Sequence, residues 1–140
     1  MLIIRFCQDG VIDMVVTLLM GRSGFLRSGK RVIHIKLWVD DVRPAPEGYV
    51  WKRSVYGAMH CIQLCEAKVR VLENESYCIE LIDIDYDAGD YANQGGDYIK
   101  LLDWLEEPGR NYPIRIHSQN PVGVQNIRAI IKRNGWTEVF

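Results

Sequence analysis

The sequence has no apolar run near the roughly 20 residues that a bilayer-crossing helix requires; its longest, residues 11–20, contains Asp13. A membrane is therefore not an expected partner. A secretory leader is not expected, since a leader needs a basic start and a small-residue cleavage site, and here only Arg5 precedes the run while Asp9 and Asp13 sit beside or inside it. The expected location is cytoplasmic. No C-x-x-C pair occurs among Cys7, Cys61, Cys65 and Cys78, so nothing implies an oxidising compartment and the four read as reduced thiols. Nor is positive charge in excess. The 17 Lys and Arg are outnumbered by 18 Asp and Glu, for a net charge of -1, which leaves no broad basic footprint for a nucleic-acid polymer.

What is present is one globular domain's worth of chain, 140 residues of which 48% are apolar and 25% charged, enough for a single core. Charge divides it near residue 34. Residues 1–34 hold five bases and two acids, and residues 35–140 hold 12 bases and 16 acids. The first stretch has apolar runs followed by Gly21, Ser23, Gly24, Ser28 and Gly29, with no strand alternation and no capped helix. It reads either as an N-terminal extension outside the core or as sequence upstream of a true start near Val32.

From Ile35 the pattern is regular. Residues 35–39 are a predicted strand ending in Asp40 and Asp41, followed by a turn with Pro44, Pro46 and Gly48 and a second strand over 49–52. Ser54 can cap a helix running to about Lys68, whose buried stripe is Ala58, Cys61, Ile62 and Cys65. The same cysteines beside His60 could form half a zinc site, but the spacing i, i+3, i+4, i+7 and the burial typical of free Cys favour the core. A strand over 76–84 ends in acids. Asp97 can cap a helix with Tyr98, Leu101, Leu102 and Leu105 on one face, stopped by Pro108 and Gly109. Residues 113–116 form the next strand and lead through His117, Ser118, Gln119 and Asn120 into a helix capped by Asn120, with Pro121 at its first position. Gly135 closes that helix, and 136–140 is the last strand. Strands alternating with helices predict an α/β fold with an open, mostly parallel five-stranded sheet and helices on both faces, a three-layer sandwich. In such sheets ligands bind beyond the carboxyl ends of the strands.

The loops at those ends carry the chemistry. Between Glu80 and Asp90 lie five acids and no base. Carboxylates about 5 Å apart repel by roughly 3 kcal/mol at an effective dielectric near 20, so a cluster held by the fold wants protons, water or a cation. With Asp40 and Asp41 added from a neighbouring strand, Mg2+ or another hard divalent ion is the favoured account, against a solvated acidic rim. Asp83, Asp85 and Asp87 also match the first three ligand positions of an EF-hand, but Ala88 stands where the glycine is needed and Gln94 where Glu is expected. His117 can move a proton near neutral pH, or simply bond to loop backbone. Arg43 can neutralise Asp40 or Asp41 or hold a phosphate oxygen. Trp38 and Trp104 read as core, while Tyr86 and Tyr91 are open between pocket edge and packing.

An acidic pair after the first strand and an aspartate after the central one resemble two-component receiver domains. Three blocks are more specific: residues 37–44 (LWVDDVRP), residues 84–90 (IDYDAGD) with Gly95, Gly96 and Asp97, and residues 117–123 (HSQNPVG). Together they resemble the cyclic-phosphate-processing receiver-like family over about residues 35–140. That resemblance implies a receiver-like, flavodoxin-like sandwich acting on a cyclic phosphate or cyclic nucleotide with Mg2+ or Mn2+. Carried over by position, Asp40, Asp41 and Asp85 would hold the metal, Asp87 would support it or act as base, and His117 with Asn120 would face the phosphate. Arg43 and Ser118 are the phosphate-binding candidates. Tyr86 stands where the family often has His. Unlike an ordinary receiver, the chain has no Lys on the last strand and no helix between the first two strands. The expectation is a phosphoesterase-type hydrolase; the alternative is a signalling or nucleotide-binding module with Asp85 as phosphoacceptor.

Overall fold

Five parallel strands supply the frame. A computed structural model describes residues 31–67 and 75–140. In chain order the elements are β1 (Arg31–Val39), β2 (Tyr49–Lys52), α1 (Val55–Glu66), β3 (Glu75–Ile84), a 3-10 turn (Gly89–Tyr91), α2 (Ile99–Glu106), β4 (Ile114–Ile116), α3 (Pro121–Asn134) and β5 (Glu138–Val139). The sheet order is β2-β1-β3-β4-β5 with every pair parallel. The chain goes outward from β1 to β2 and returns past β1 to β3, so the strand order switches between β1 and β3. The proposed extension, residues 1–34, lies outside the described residues up to residue 30. β1 begins at Arg31, four residues before the predicted strand, because His34 pairs with Cys78 and Arg31 with Glu75 in the ladder to β3.

Local chemistry sets most boundaries. Ser54 Oγ accepts from Gly57 N at 3.0 Å, and Asn120 Oδ1 accepts from Gly123 N at 3.0 Å, so both caps form as the sequence predicts. Gly135 ends α3 in the left-handed region at φ 65°, where a side chain would strain the backbone. The expected cap of α2 does not form. The Asp97 carboxylate accepts instead from Ala88 N at 3.1 Å, pinning the loop after β3, and the helix starts at Ile99 with Tyr98 at the cap position. α1 stops at Glu66, and Lys68, the predicted end, lies outside the described residues. The last strand is only Glu138–Val139. Between β1 and β2, where an ordinary receiver would carry a helix, the chain runs through Pro44 and Pro46 without one.

The two faces of the sheet differ. α1 packs on α2 and α2 on α3, and their buried residues join Ile35, Leu37, Val39, Ile79, Ile82, Ile84 and Ile114 in one core. Alternation then puts Trp38, Asp83 and Arg115, which are register partners across β1, β3 and β4, on the opposite face. Trp38 and Leu81 are buried but stand outside that core. Among the described residues the helices thus cover one face, not the two that the strand-helix alternation predicted. The cause is the missing β1–β2 helix: right-handed crossovers that all step in one direction lay their helices on one side. β3 also carries one residue more than β1. Ile35 pairs with Ile79 but Lys36 with Leu81, which leaves Glu80 unpaired in a bulge. Cys61 and Cys65 are buried on α1. No helix among the described residues is long and apolar enough to cross a membrane.

Candidate active site

Three of the predicted residues stand one step beyond three strand ends, and the ladder continues far enough to fix each. Asp40 N donates to Lys52 O at 3.2 Å, Asp85 N to Val39 O at 3.0 Å and His117 N to Ile84 O at 3.1 Å. They follow Trp38, Asp83 and Arg115 by two residues, so the pleat directs them to the helix-free side of the carboxyl edge. Asp40, Asp85 and His117 each offer a ligand atom within 4.8 Å of the others. Asp40 is 1% exposed.

A chain of alternating charge runs through these residues. Arg115 pairs with the fully buried Asp83 through Nε at 2.6 Å and through Nη2. Asp83 Oδ1 meets His117 Nδ1 at 2.6 Å, and Asp40 Oδ2 meets His117 Nε2 at 3.0 Å. Each ring nitrogen thus faces a carboxylate oxygen, one from β3 and one from the end of β1. The ring also lies flat on the Trp38 indole, centroids 3.7 Å apart and planes within 1°. His117 is therefore fixed by three neighbours, and a bond to loop backbone is not what holds its side chain.

Arg43 answers the question its position left open. Its Nε donates to Asp40 Oδ2 at 2.7 Å, its Nη2 to Asp85 Oδ2 at 2.6 Å and its Nη1 to His117 O at 3.0 Å. The guanidinium is committed to carboxylates. Burial alone would raise the Asp40 pKa, but hydrogen bonds from the Arg43 and Val42 backbone, the Arg43 side chain and His117 outweigh it and hold the carboxyl below its ordinary value. Arg43 thus offsets part of the negative charge that Asp40 and Asp85 bring to the cluster with His117.

Asp41 is the contrast. Burial pushes its pKa up, its own backbone N–H lowers it, and the charges of Asp40, Asp85 and Asp90 push it further up. Arg43 makes no ion pair with it. Its carboxylate lies against Gly89, where a Cβ would overlap it, and Gly89 takes φ 48°, a conformation that favours glycine. A hard cation would relieve this group most.

The remaining candidates lie at the start of α3. Asn120 caps the helix and donates from Nδ2 to the exposed Asp87 at 3.2 Å. Ser118 Oγ accepts from Asn120 N at 3.2 Å. Tyr86 packs its ring on α3 at Gly123, where a Cβ would overlap it, and Tyr91 reaches Arg53. Trp38 and Asp83 hold His117 in place, Arg115 holds Asp83, and all three were missed as site residues. The signal available was their spacing, each two residues before Asp40, Asp85 or His117.

The fold, the acidic strand ends and the HSQNP turn agree with one family model. Residues 35–133 match the cyclic-phosphate processing receiver domain. The chain belongs to this family. It is a receiver-like domain of that group, with the three sequence blocks converging on one edge of the sheet. Comparisons with curated proteins and with solved structures returned no match.

Proposed function

We propose that this receiver-like domain hydrolyses a cyclic phosphate, in the first instance a cyclic nucleotide, with Mg2+ or Mn2+ held by Asp41 and Asp85 beside Asp40. The observation that carries this reading is the surplus of negative charge left at Asp41 after Arg43 has paired with Asp40 and Asp85. An all-oxygen donor set of this kind suits a hard divalent ion rather than a soft one. Such an ion supplies Lewis-acid polarisation of a phosphoryl oxygen and a more acidic water.

The chain's own residues have the remaining parts. Hydrolysis adds one water across a ring P–O ester bond: the water oxygen bonds to phosphorus and the departing ring oxygen takes up a proton. His117, held by Asp83 and Trp38, supplies that proton from Nε2, and Asp87 accepts one from the water. The Ser118 hydroxyl accepts from Asn120 N and keeps its own hydrogen for a phosphoryl oxygen. Asn120 orients Asp87. Phosphotransfer to Asp85 is less well supported, because Arg43 and Tyr86 N already engage its two oxygens.

The test is turnover of a panel of cyclic nucleotides with and without Mg2+ or Mn2+, in the native chain, Asp41→Asn and His117→Ala. Metal-dependent hydrolysis lost in both variants is the expected result. Absence of turnover together with an unchanged Tm at millimolar metal would overturn the reading, and acetyl-phosphate labelling that disappears in Asp85→Asn would replace it with the receiver alternative.

A further inference from the structure

If Arg43 is committed to carboxylates, another group must receive the phosphate. Arg53 directly follows β2 at the same edge of the sheet. Its guanidinium lies over the Trp51 ring, 4.1 Å from the centroid, and Trp51 Nε1 in turn donates to Asp40 O at 2.6 Å. Tyr98, whose hydroxyl pKa is raised by burial and then by Asp41, Asp40 and Asp85, donates to Arg53 O at 2.6 Å. Arg53 is therefore tied through Trp51 and Tyr98 to the strand end that carries Asp40, and its guanidinium forms no ion pair with the acidic cluster.

Of the seven arginines among the described residues, the other six each pair with a carboxylate: Arg31, Arg43, Arg110, Arg115, Arg128 and Arg133. Arg53 donates from Nη1 to Tyr91 Oη at 3.0 Å, and its Nε is buried without an acceptor. The unused donors lie on the Nε–Nη2 edge of the guanidinium. In Arg133 that edge grips both oxygens of Glu106, at 2.9 and 2.7 Å. Stacking on Trp51 occupies a face of the guanidinium and leaves its in-plane donors for a tetrahedral or planar oxyanion. A buried donor without an acceptor is costly, and a ligand oxygen at this edge would supply one.

We infer that Arg53 is the phosphate-receiving arginine, taking one or two phosphoryl oxygens on its Nε–Nη2 edge. The assignment rests on the reading of this edge as a phosphate-processing site. Its test is a titration of the 15N-arginine-labelled full chain with inorganic phosphate, following the Nε–H resonances, with Arg53→Gln and Arg53→Lys as variants and a 3′,5′-cyclic nucleotide with Mg2+ as a second arm.

Phosphate is expected to move the Arg53 Nε–H signal, which Arg53→Lys identifies by its disappearance. Arg53→Gln should weaken phosphate binding by about tenfold or more, and Arg53→Lys, which keeps the charge but not the fork, by less. In the second arm KM should rise more than kcat falls. An unmoved Nε–H signal, or phosphate binding in Arg53→Gln within about twofold of native, overturns the inference, and the titration of the native chain decides it even if a variant fails to fold. The two readings separate. Phosphate binding that depends on Arg53 without cyclic-nucleotide turnover keeps Arg53 and removes the hydrolase, whereas turnover with KM unchanged in Arg53→Gln removes Arg53 and keeps the hydrolase.

Discussion

On the helix side of the sheet, Leu37, Ile82, Ile84 and Ile114 are fully buried among Ile62, Leu101, Leu102 and Ile127, and no ionised group joins them. On the other side the same strands present Trp38, Asp83, Arg115 and, one step on, Asp40 and His117. Both sides bury side chains, but by different means. Apolar burial is non-directional and worth roughly 1.5–3 kcal/mol per large side chain, so the first face sets stability and tolerates volume-conserving exchange. The second is held by directed bonds between charged groups, which fix angles more than they add stability. It is the face whose side chains need fixed positions.

The contrast can be broken most sharply at Asp83. Asp83→Ala leaves Arg115 and His117 without their buried partner and should cost roughly 3–5 kcal/mol in urea unfolding; a cost below about 1 kcal/mol would mean that the charged chain does not hold this face together. Leu37→Ala should cost roughly 2–5 kcal/mol through its cavity. It should leave any Mg2+-induced rise in Tm intact, whereas a lost rise would couple the two faces. At the edge joining them, Asn120→Ala removes the α3 cap and the link to Asp87, for about 1 kcal/mol. Asn120→Ser keeps a capping oxygen without setting a second carboxylate against Asp87, and should recover most of that in the same unfolding measurement.

The smallest effect is a pH dependence on the helix side. The Arg110 hydrogen bond lowers the Glu66 pKa against burial, and Tyr112 lowers it further. A carboxyl held low in the fold adds stability that is present above its unfolded value and lost as pH falls through its folded one. The Tm of the native chain should therefore fall more steeply below about pH 4.5 than that of Glu66→Gln, by an amount equivalent to less than about 1 kcal/mol because the pair is part-exposed. Parallel Tm–pH curves would show that the pair contributes nothing.

Much of this was legible in residue order. Strand ends at Asp40, Asp85 and His117, the caps Ser54 and Asn120, and the buried cysteines all follow from local pattern and turn chemistry. Asp97 was not, because its carboxylate had two backbone N–H groups to choose from, and only the path of the loop after β3 brings Ala88 within its reach. Arg43 was not, since three residues of separation allow it to meet Asp40 or to point away, and its bond to Asp85 spans 42 positions. Asp83 looked like one more member of an acidic run. Its bond to His117 depends on which way the pleat directs it, and that depends on a strand irregularity which no alternation of apolar and polar residues announces.

That irregularity is the unpaired Glu80. Upstream of it Tyr77 and Ile79 face the helices, and downstream Ile82 and Ile84 do, so the odd-numbered residues give way to the even within a single strand. If Glu80 were paired in the ladder instead of set out of it, the strand beyond would be inverted: Ile82 would meet Trp38 on the charged face, and Asp83 would meet Val39 and be driven beneath the helices with no cation to meet it. One supernumerary residue far from the mouth thus acts as the gearing that decides whether the carboxylates of β3 are tools or faults.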